Sequence, residues 1–271
     1  NGEHIPMHID RQTIENLLDF VDKFPHYFIG CNAPLPRIGG SVLAHDHYQG
    51  GGEVLPLHRA KIKMPLKDKK YPDMLVGILD WPGTVLRIAS ANRDETIEAG
   101  DRLREAWVKY SNPELGIIEE DENGVHNAIS PTVIKTVQGY EMNVILRSNI
   151  TNEEYPDGVF HAHPEYHSIK KESIGLIEAQ GLFILPGRLE EELTAVERLI
   201  ENSQSLSEEY SQFRLVYNET KALYESGKYT NIHKAMQEEL GSICYRILEN
   251  TAVFKKEEDF INFLKTAGFE K

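Results

Sequence analysis

The chain has 271 residues, and its 29 Lys and Arg against 43 Asp and Glu give a formal net charge of −14. Such a length can bury a large core, as one large domain or two ordinary ones. The negative charge argues against a nucleic-acid backbone or an anionic membrane surface as a partner, whereas local groups can still bind a small phosphorylated substrate. No apolar run approaches the roughly 20 residues that span a bilayer.

Two further features concern the origin of the chain. Cys31 and Cys244 lie far apart and form no disulfide framework, so we expect a reducing, cytoplasmic location. The chain begins with Asn1 in NGEHIPMHID, which reads like the interior of a protein. We therefore expect a C-terminal fragment of a longer chain.

The first predicted element is an amphipathic helix over residues 10–24, with Asp10 as its N-cap and Pro25 just past its end. Its apolar stripe consists of Ile14, Leu17, Leu18 and Val21. A strand is predicted within YFIGCNAPL, followed by the turn PRIGG and a second strand, SVLAHDHYQ, over residues 41–49.

The same order of elements returns further along the chain. After a Pro- and Lys-rich connector, KMPLKDKKYPD, the pattern predicts the strand GTVLRIAS and a helix over about residues 92–110 whose Ile97, Gly100, Leu103 and Trp107 share a face. Two strands joined through Gly139 follow, HNAISPTVIKTVQG and YEMNVILRSN, and then a strand with a His-x-His pair, GVFHAHPEYH. A duplicated α+β unit would explain this order.

Residues 189–271 contain charged segments with helical periodicity. We therefore predict an α+β fold of duplicated units with an antiparallel sheet and packed helices, followed by a helical C-terminal region. The predicted units are residues 1–70, 71–188 and 189–271. Packing or oligomerisation is the simplest role for the last of these.

The stretch HDHYQ carries the most specific chemistry. On a strand, alternate side chains share a face, so His45, His47 and Gln49 would line one face, and three polar groups there indicate a site rather than core filling. Gly39 and Gly40 before the strand, and three glycines after it, permit close backbone approach to a ligand.

Two chemistries fit these residues. Gly39, His45, His47 and Glu53 come near the metal-binding pattern of cupin barrels, but the gap from His47 to Glu53 is too long and no second cupin motif follows. The alternative makes His47 a nucleophile towards phosphorus, with His45 to orient it and Gln49 to hold the transferred group. An amide cannot act as a general acid, so Gln49 favours transfer between phosphates over hydrolysis.

Residues 25–51, PHYFIGCNAPLPRIGGSVLAHDHYQGG, resemble the nucleophile region of galactose-1-phosphate uridylyltransferases of the divergent bacterial branch, within the histidine-triad superfamily. The resemblance continues through residues 159–189 and covers nearly the whole chain. It implies a ping-pong reaction of galactose metabolism, in which UDP-glucose gives its uridylyl group to His47 and galactose 1-phosphate then takes it. It also implies that the uridine pocket draws on residues before the nucleophile strand.

The resemblance assigns further residues. Asn32, Gly40 and Ser41 resemble phosphate-contacting residues, Lys171 resembles a lysine that contacts sugar phosphate, in some cases across a homodimer, and Gln180 is a candidate for sugar contact. His161 and His163 match a His-Ala-His that binds a structural metal in the better-known branch, and His126 resembles the third ligand. Three imidazoles could hold Zn²⁺ or Fe²⁺. The Cys-x-x-Cys of that branch is absent, and histidines hydrogen-bonded within the fold are an equal alternative.

Two other functions remain open. A histidine-triad nucleotide hydrolase or dinucleoside-polyphosphate phosphorylase is the nearest enzymatic alternative, and Gln49 argues against the hydrolase. A non-catalytic interaction or metal-binding domain is the alternative from another class, and the combination of His45, His47 and Gln49 argues against it. The sequence does not determine which hexose is used.

Overall fold

The computed structural model describes residues 4–39 and 42–271. Its centre is an eight-stranded sheet, and each pairing between neighbouring strands is antiparallel. The strands are β1 (Phe28–Gly30), β2 (Gln49–Gly51), β3 (Ile62–Asp68), β4 (Leu75–Leu79), β5 (Val85–Ser90), β6 (Glu120–Asp121), β7 (Gly124–Val125), β8 (Asn127–Thr136), β9 (Gly139–Ser148) and β10 (Phe269–Glu270). The strand order is β10-β3-β4-β5-β9-β8-β1-β2, and β6 pairs with β7 separately.

Helices cover both faces of this sheet. They are α1 (Arg11–Lys23), α2 (Pro56–Arg59), α3 (Arg93–Val108), α4 (Leu176–Ala179), α5 (Leu189–Glu201), α6 (Arg214–Glu225), α7 (Ile232–Thr251) and α8 (Glu257–Thr266), with 3₁₀ turns at Pro113–Leu115, Pro164–Tyr166 and Glu208–Phe213. None of the helices described is both long enough and apolar enough to cross a membrane.

Strand alternation separates the two large clusters of the core. On β9, Val144 and Leu146 pack with α1, α3 and α8, whereas Ile145 between them packs with the cluster that contains α4 to α7. Neighbouring residues of a strand point to opposite faces, so the two clusters lie on opposite sides of the sheet. Gln49 lines a pocket with residues of α4, so the α4 side of the sheet is the one next to this residue.

The first helix forms as the sequence predicts. The Asp10 carboxylate accepts the backbone N–H of Thr13 at 2.9 Å, and the Thr13 hydroxyl accepts the N–H of Asp10 at 3.3 Å, which completes a capping box. The four residues of the predicted apolar stripe are completely buried. The predicted helices over about residues 92–110 and across the C-terminal region are also confirmed.

Gly139 joins β8 to β9 with a φ of +131°. A Cβ at this position would lie 2.3 Å from the carbonyl oxygen of Ser90, so both the backbone angle and the space require glycine. The hairpin that the sequence predicts here is therefore confirmed, and its register places Thr132 opposite Asn143.

Three predictions about strands are wrong. The expected connector contains β3, because the lysines of this edge strand point to solvent and β10 covers only Lys67 and Asp68, which leaves room for Pro65. Residues 42–48 are not a strand, since the chain bends at residues 44–45 and reaches the sheet only at Gln49. The His-x-His stretch over residues 158–167 forms turns and the 3₁₀ turn at Pro164.

The α+β class, the antiparallel sheet and the packed helices are thus confirmed. The helical C-terminal region also returns to the sheet, since Phe269 pairs with Asp68 at the β3 edge. The division into units at residues 70 and 188 and their duplication stay a prediction.

Candidate functional site

The His-Asp-His-Tyr-Gln motif, residues 45–49, begins in an extended segment just before β2, beside residues 5–7. The backbone N–H of Met7 donates to the carbonyl of Leu43 at 2.8 Å, and the N–H of Asp46 donates to the carbonyl of Ile5 at 2.7 Å. These two hydrogen bonds hold the segment, but they do not form the regular pairing of a strand. The alternation that would place His45, His47 and Gln49 on one face therefore does not apply.

The ring of His47 is oriented by the main chain. Its Nδ1 lies 2.9 Å from the carbonyl oxygen of His45. A carbonyl oxygen only accepts, so Nδ1 carries the proton, and Nε2 of the neutral ring keeps its lone pair. The half-buried His47 is therefore held in the tautomer in which the lone pair of Nε2 is free.

The pocket beside His47 has a volume of about 510 Å³. Its lining includes His45, His47, Asp46 and Tyr48, together with Asn16 and Phe20 of α1. The amide of Asn16 donates to the Tyr48 hydroxyl at 3.1 Å. Burial raises the pKa of the nearby Cys31 thiol, so Cys31 is not a competing thiolate nucleophile.

His45 contributes through its carbonyl rather than through its ring. Its ring centroid lies 4.8 Å from that of His4, and within the described residues its Nδ1 has no hydrogen-bond partner. The contact between His45 and the His47 ring is therefore made by the backbone oxygen of His45.

Gln49 lies at the start of β2, opposite Gly30 of β1. Its Oε1 accepts from Nδ2 of Asn32 at 3.3 Å, and Oδ1 of Asn32 accepts the backbone N–H of Leu176 at 2.6 Å. Asn32 and Gln49 line a pocket of about 300 Å³ with residues of α4. The structure thus joins Asn32 to Gln49, while His45 and His47 line a second pocket whose wall includes Gly50, the residue directly after Gln49.

The remaining predicted substrate-binding residues differ in their accessibility. Gly40 and Ser41 lie outside the described residues. Gln180 is completely buried. Its Oε1 accepts from Thr132 at 3.0 Å and its Nε2 donates to the carbonyl of Leu176 at 3.3 Å, so both ends of its amide are hydrogen-bonded within the protein. Lys171 is exposed to solvent.

The second histidine cluster does not assemble into a metal site. Nδ1 of the buried His126 is 2.8 Å from the side-chain oxygen of Asn149, and its Nε2 approaches Asp121 at 2.9 Å without the alignment of a hydrogen bond. His161 and His163 contact the carbonyls of Ala162 and Val159 at 3.3 and 3.1 Å.

Across residues 4–39 and 42–271, no three His, Cys, Asp or Glu side chains are grouped so that they could hold a metal ion. Glu53, the carboxylate of the cupin-like pattern, is exposed. The predicted Zn²⁺ or Fe²⁺ site at His126, His161 and His163 is therefore not confirmed, and the residues as arranged do not fit such an ion. Each of these three histidines instead has a hydrogen-bond partner within the fold, which is the arrangement that the alternative interpretation of the sequence expects.

The sequence did not reveal two buried polar pairs on the α4 side of the sheet. Lys170 donates to Glu178 at 2.9 Å, and both side chains are at least nine-tenths buried. Arg87 donates to Asn143 at 2.8 Å beside the buried His58. Arg87 and Asn143 are 56 positions apart, and Lys170 lies outside the helices and strands, so no regular spacing along the chain signals either pair.

Comparison with known proteins adds independent information. Residues 19–215 match the family described as Galactose-1-phosphate uridyl transferase, C-terminal domain. The chain is 53% identical to the galactose-1-phosphate uridylyltransferase of Bifidobacterium longum, with 99% of this chain and 53% of the relative aligned. Identity is 40% to the proteins of the same name from Lactococcus lactis subsp. lactis, over 97% of this chain and 55% of the relative, and from Bacillus subtilis, over 98% and 54%.

These matches define the extent of the similarity. The chain spans about half the length of the curated relatives that it matches. No solved structure gives a significant match. Because the family match covers most of the chain and includes the His-Asp-His-Tyr-Gln motif, the chain belongs to the galactose-1-phosphate uridylyltransferase family.

Proposed function

We propose that the complete protein transfers a uridylyl group between UDP-glucose and galactose 1-phosphate, through a covalent intermediate on His47. The observation that carries the proposal is the bond from Nδ1–H of His47 to the carbonyl of His45, which leaves the Nε2 lone pair free for attack. Family membership supports the choice of substrates.

The first half-reaction follows from this tautomer. The Nε2 lone pair of His47 attacks the α-phosphorus of UDP-glucose, the bond from that phosphorus to the bridging oxygen breaks, and glucose 1-phosphate leaves. The ring becomes positively charged while Nδ1 keeps its proton, and the His45 carbonyl stabilises that charge. A phosphate oxygen of galactose 1-phosphate then attacks the same phosphorus, so that UDP-galactose forms and neutral His47 returns.

Gln49 suits this exchange better than hydrolysis. Both leaving groups are phosphates, which depart without receiving a proton, so an amide, which can donate hydrogen bonds but cannot transfer a proton, is sufficient. Its Nε2 can stabilise the negative charge that develops on the phosphoryl oxygens. No step requires a metal ion, and none is assigned to His126, His161 or His163.

The partners and location belong to the same proposal. Substrates are UDP-sugars and hexose 1-phosphates, with no nucleic acid and no membrane partner, and the location is cytoplasmic, which the two free cysteines favour. The exposed side chain of Lys171 is accessible to a sugar phosphate or to a second subunit, as expected for a homodimer.

Labelling tests the proposal directly. The complete protein, incubated with UDP-glucose labelled in its uridylyl group, should acquire an acid-labile label, and His47→Ala should acquire none. His233→Ala is the matched control, because His233 is an exposed histidine of α7 that contacts Glu197. Label retained by His47→Ala would exclude His47 as the nucleophile, and rapid release of free UMP would favour the hydrolase.

A further inference from the structure

We infer that Asn32 is a positioning residue that fixes which end of the Gln49 side-chain amide faces the substrate. This role differs from the phosphate contact that the family resemblance assigns to Asn32, and it rests on the proposed function. The evidence is a chain of two hydrogen bonds from the backbone of Leu176, through Asn32, to Gln49.

The direction of each bond follows from one group that can only donate. The backbone N–H of Leu176 lies 2.6 Å from the Asn32 side chain, so the atom that it contacts must be the oxygen, Oδ1. Nδ2 of Asn32 then points the other way and donates to Gln49 at 3.3 Å. The atom of Gln49 that accepts must be Oε1, so its Nε2 remains available as a donor.

The first donor in this series of hydrogen bonds, the backbone N–H of Leu176, is held in place. The Glu178 carboxylate accepts the backbone N–H of Gly175 at 3.0 Å with one oxygen and Lys170 at 2.9 Å with the other. These bonds fix the beginning of α4, and hence the direction of the Leu176 N–H. Asn32 itself is only 2% exposed, so water has little access to compete for its amide.

The orientation matters for the chemistry. An amide that turned by 180° would present its carbonyl oxygen, instead of its N–H group, to the anionic phosphoryl oxygens. The interaction would then change from stabilising to repulsive as charge develops in the transition state. The oxygen and nitrogen ends of Gln49 are nearly the same size, so its hydrogen-bond partners determine the orientation, and Asn32 is one such partner.

Direct phosphate contact is the competing explanation, because Nδ2 of Asn32 has a second N–H. A double-mutant cycle separates the two roles. The rate of uridylylation by UDP-glucose is measured under single-turnover conditions for the complete protein, for Asn32→Ala, for Gln49→Ala and for the double variant. We expect Asn32→Ala to lower the rate about tenfold, the usual effect of losing one such hydrogen bond, and to change it less than about twofold when Gln49 is already Ala. An equal loss in both backgrounds would overturn the positioning role.

Asn32→Asp guards against misfolding. Its carboxylate still accepts the Leu176 N–H but cannot donate to Gln49, so the variant should fold and yet be slow. Asn127→Ala is the matched control. Asn127 is as well buried as Asn32, with 3% of its surface exposed, and its amide donates to the carbonyls of Trp107 and Tyr110, away from Gln49. It should reduce stability and leave the rate per folded molecule unchanged.

A readout without substrate separates this inference from the proposed function. In spectra of ¹⁵N-labelled protein, the side-chain amide resonances of Gln49 should shift in Asn32→Ala and stay unchanged in Asn127→Ala. Unchanged Gln49 resonances in Asn32→Ala would overturn the inference even if the enzyme is active. A lack of labelling in the unmutated protein would instead contradict the proposed function, while the spectra would still decide the orientation.

Discussion

The buried ion pair between Lys170 and Glu178 should respond asymmetrically to removal of its two members. Their side chains are 7% and 10% exposed, and the Glu178 carboxylate also accepts the N–H of Gly175. Arg147 lies near the same carboxylate and is fully buried; burial lowers the pKa of Arg147 to about 10, against the opposing charge of Glu178. The Glu178 carboxylate therefore compensates the charge of two buried cations, Lys170 and Arg147.

The number of buried charges that lose their partner determines how much each substitution should reduce the free energy of unfolding. Glu178→Gln leaves Lys170 and Arg147 without their anion and should reduce the free energy of unfolding by about 3–5 kcal/mol. Lys170→Met leaves Glu178 with Arg147 and the Gly175 N–H, so the loss should be smaller, roughly 1–3 kcal/mol. For a chain of this size, the first change lowers the melting temperature by roughly 6–20 °C.

Urea unfolding at pH 7, followed by circular dichroism, measures both variants. Glu192→Gln is the control, because Glu192 pairs with Arg188 in an exposed ion pair, and it should cost under about 0.5 kcal/mol. A larger loss in Lys170→Met than in Glu178→Gln, or no loss in either, would refute the reasoning.

Two further predictions concern the sheet. Gly139→Val should destabilise the hairpin by more than about 2 kcal/mol through its positive φ and its clash with Ser90, whereas Gly187→Ala, which has open space around it, should not; melting temperatures that fall equally would contradict this. Burial lowers the pKa of His58 to about 4, with Arg87 contributing. Unfolding therefore takes up a proton between about pH 6.5 and 4, which costs stability on the order of 2 kcal/mol at pH 5. In His58→Asn, which keeps an acceptor for Asn143, the drop in melting temperature from pH 7 to 5 should be smaller, and an equal drop would exclude His58 as its source.

Local signals predicted the local elements. The capping box at Asp10 and the apolar stripe of α1 lie within one stretch of sequence, and both are present. The hairpin at Gly139 is equally local. Where the signals conflicted, tertiary contacts decided: Pro65 and its neighbouring lysines suggested a connector, yet they form β3 because that edge of the sheet tolerates them.

The sequence proposed residue types for the site and could not give their arrangement. The motif identified His47 and Gln49, but their alternation on a strand assumed a regular ladder that begins only at Gln49. The bond between Asn32 and Leu176 joins residues 144 positions apart, so no spacing rule could predict it. The same limit applies to His126 and His161, whose identities suggested metal ligands and whose positions satisfy other partners.

The most direct test of the account is to locate the uridylyl group on the trapped intermediate. The nucleophile is assigned to one atom, Nε2 of His47, because Nδ1 donates to the carbonyl of His45. Peptide mapping of the labelled protein, followed by ¹H–³¹P correlation on the modified peptide, identifies both the residue and the nitrogen. The account predicts phosphorus bound to Nε2 of His47; phosphorus on Nδ1, or on His45, would contradict it.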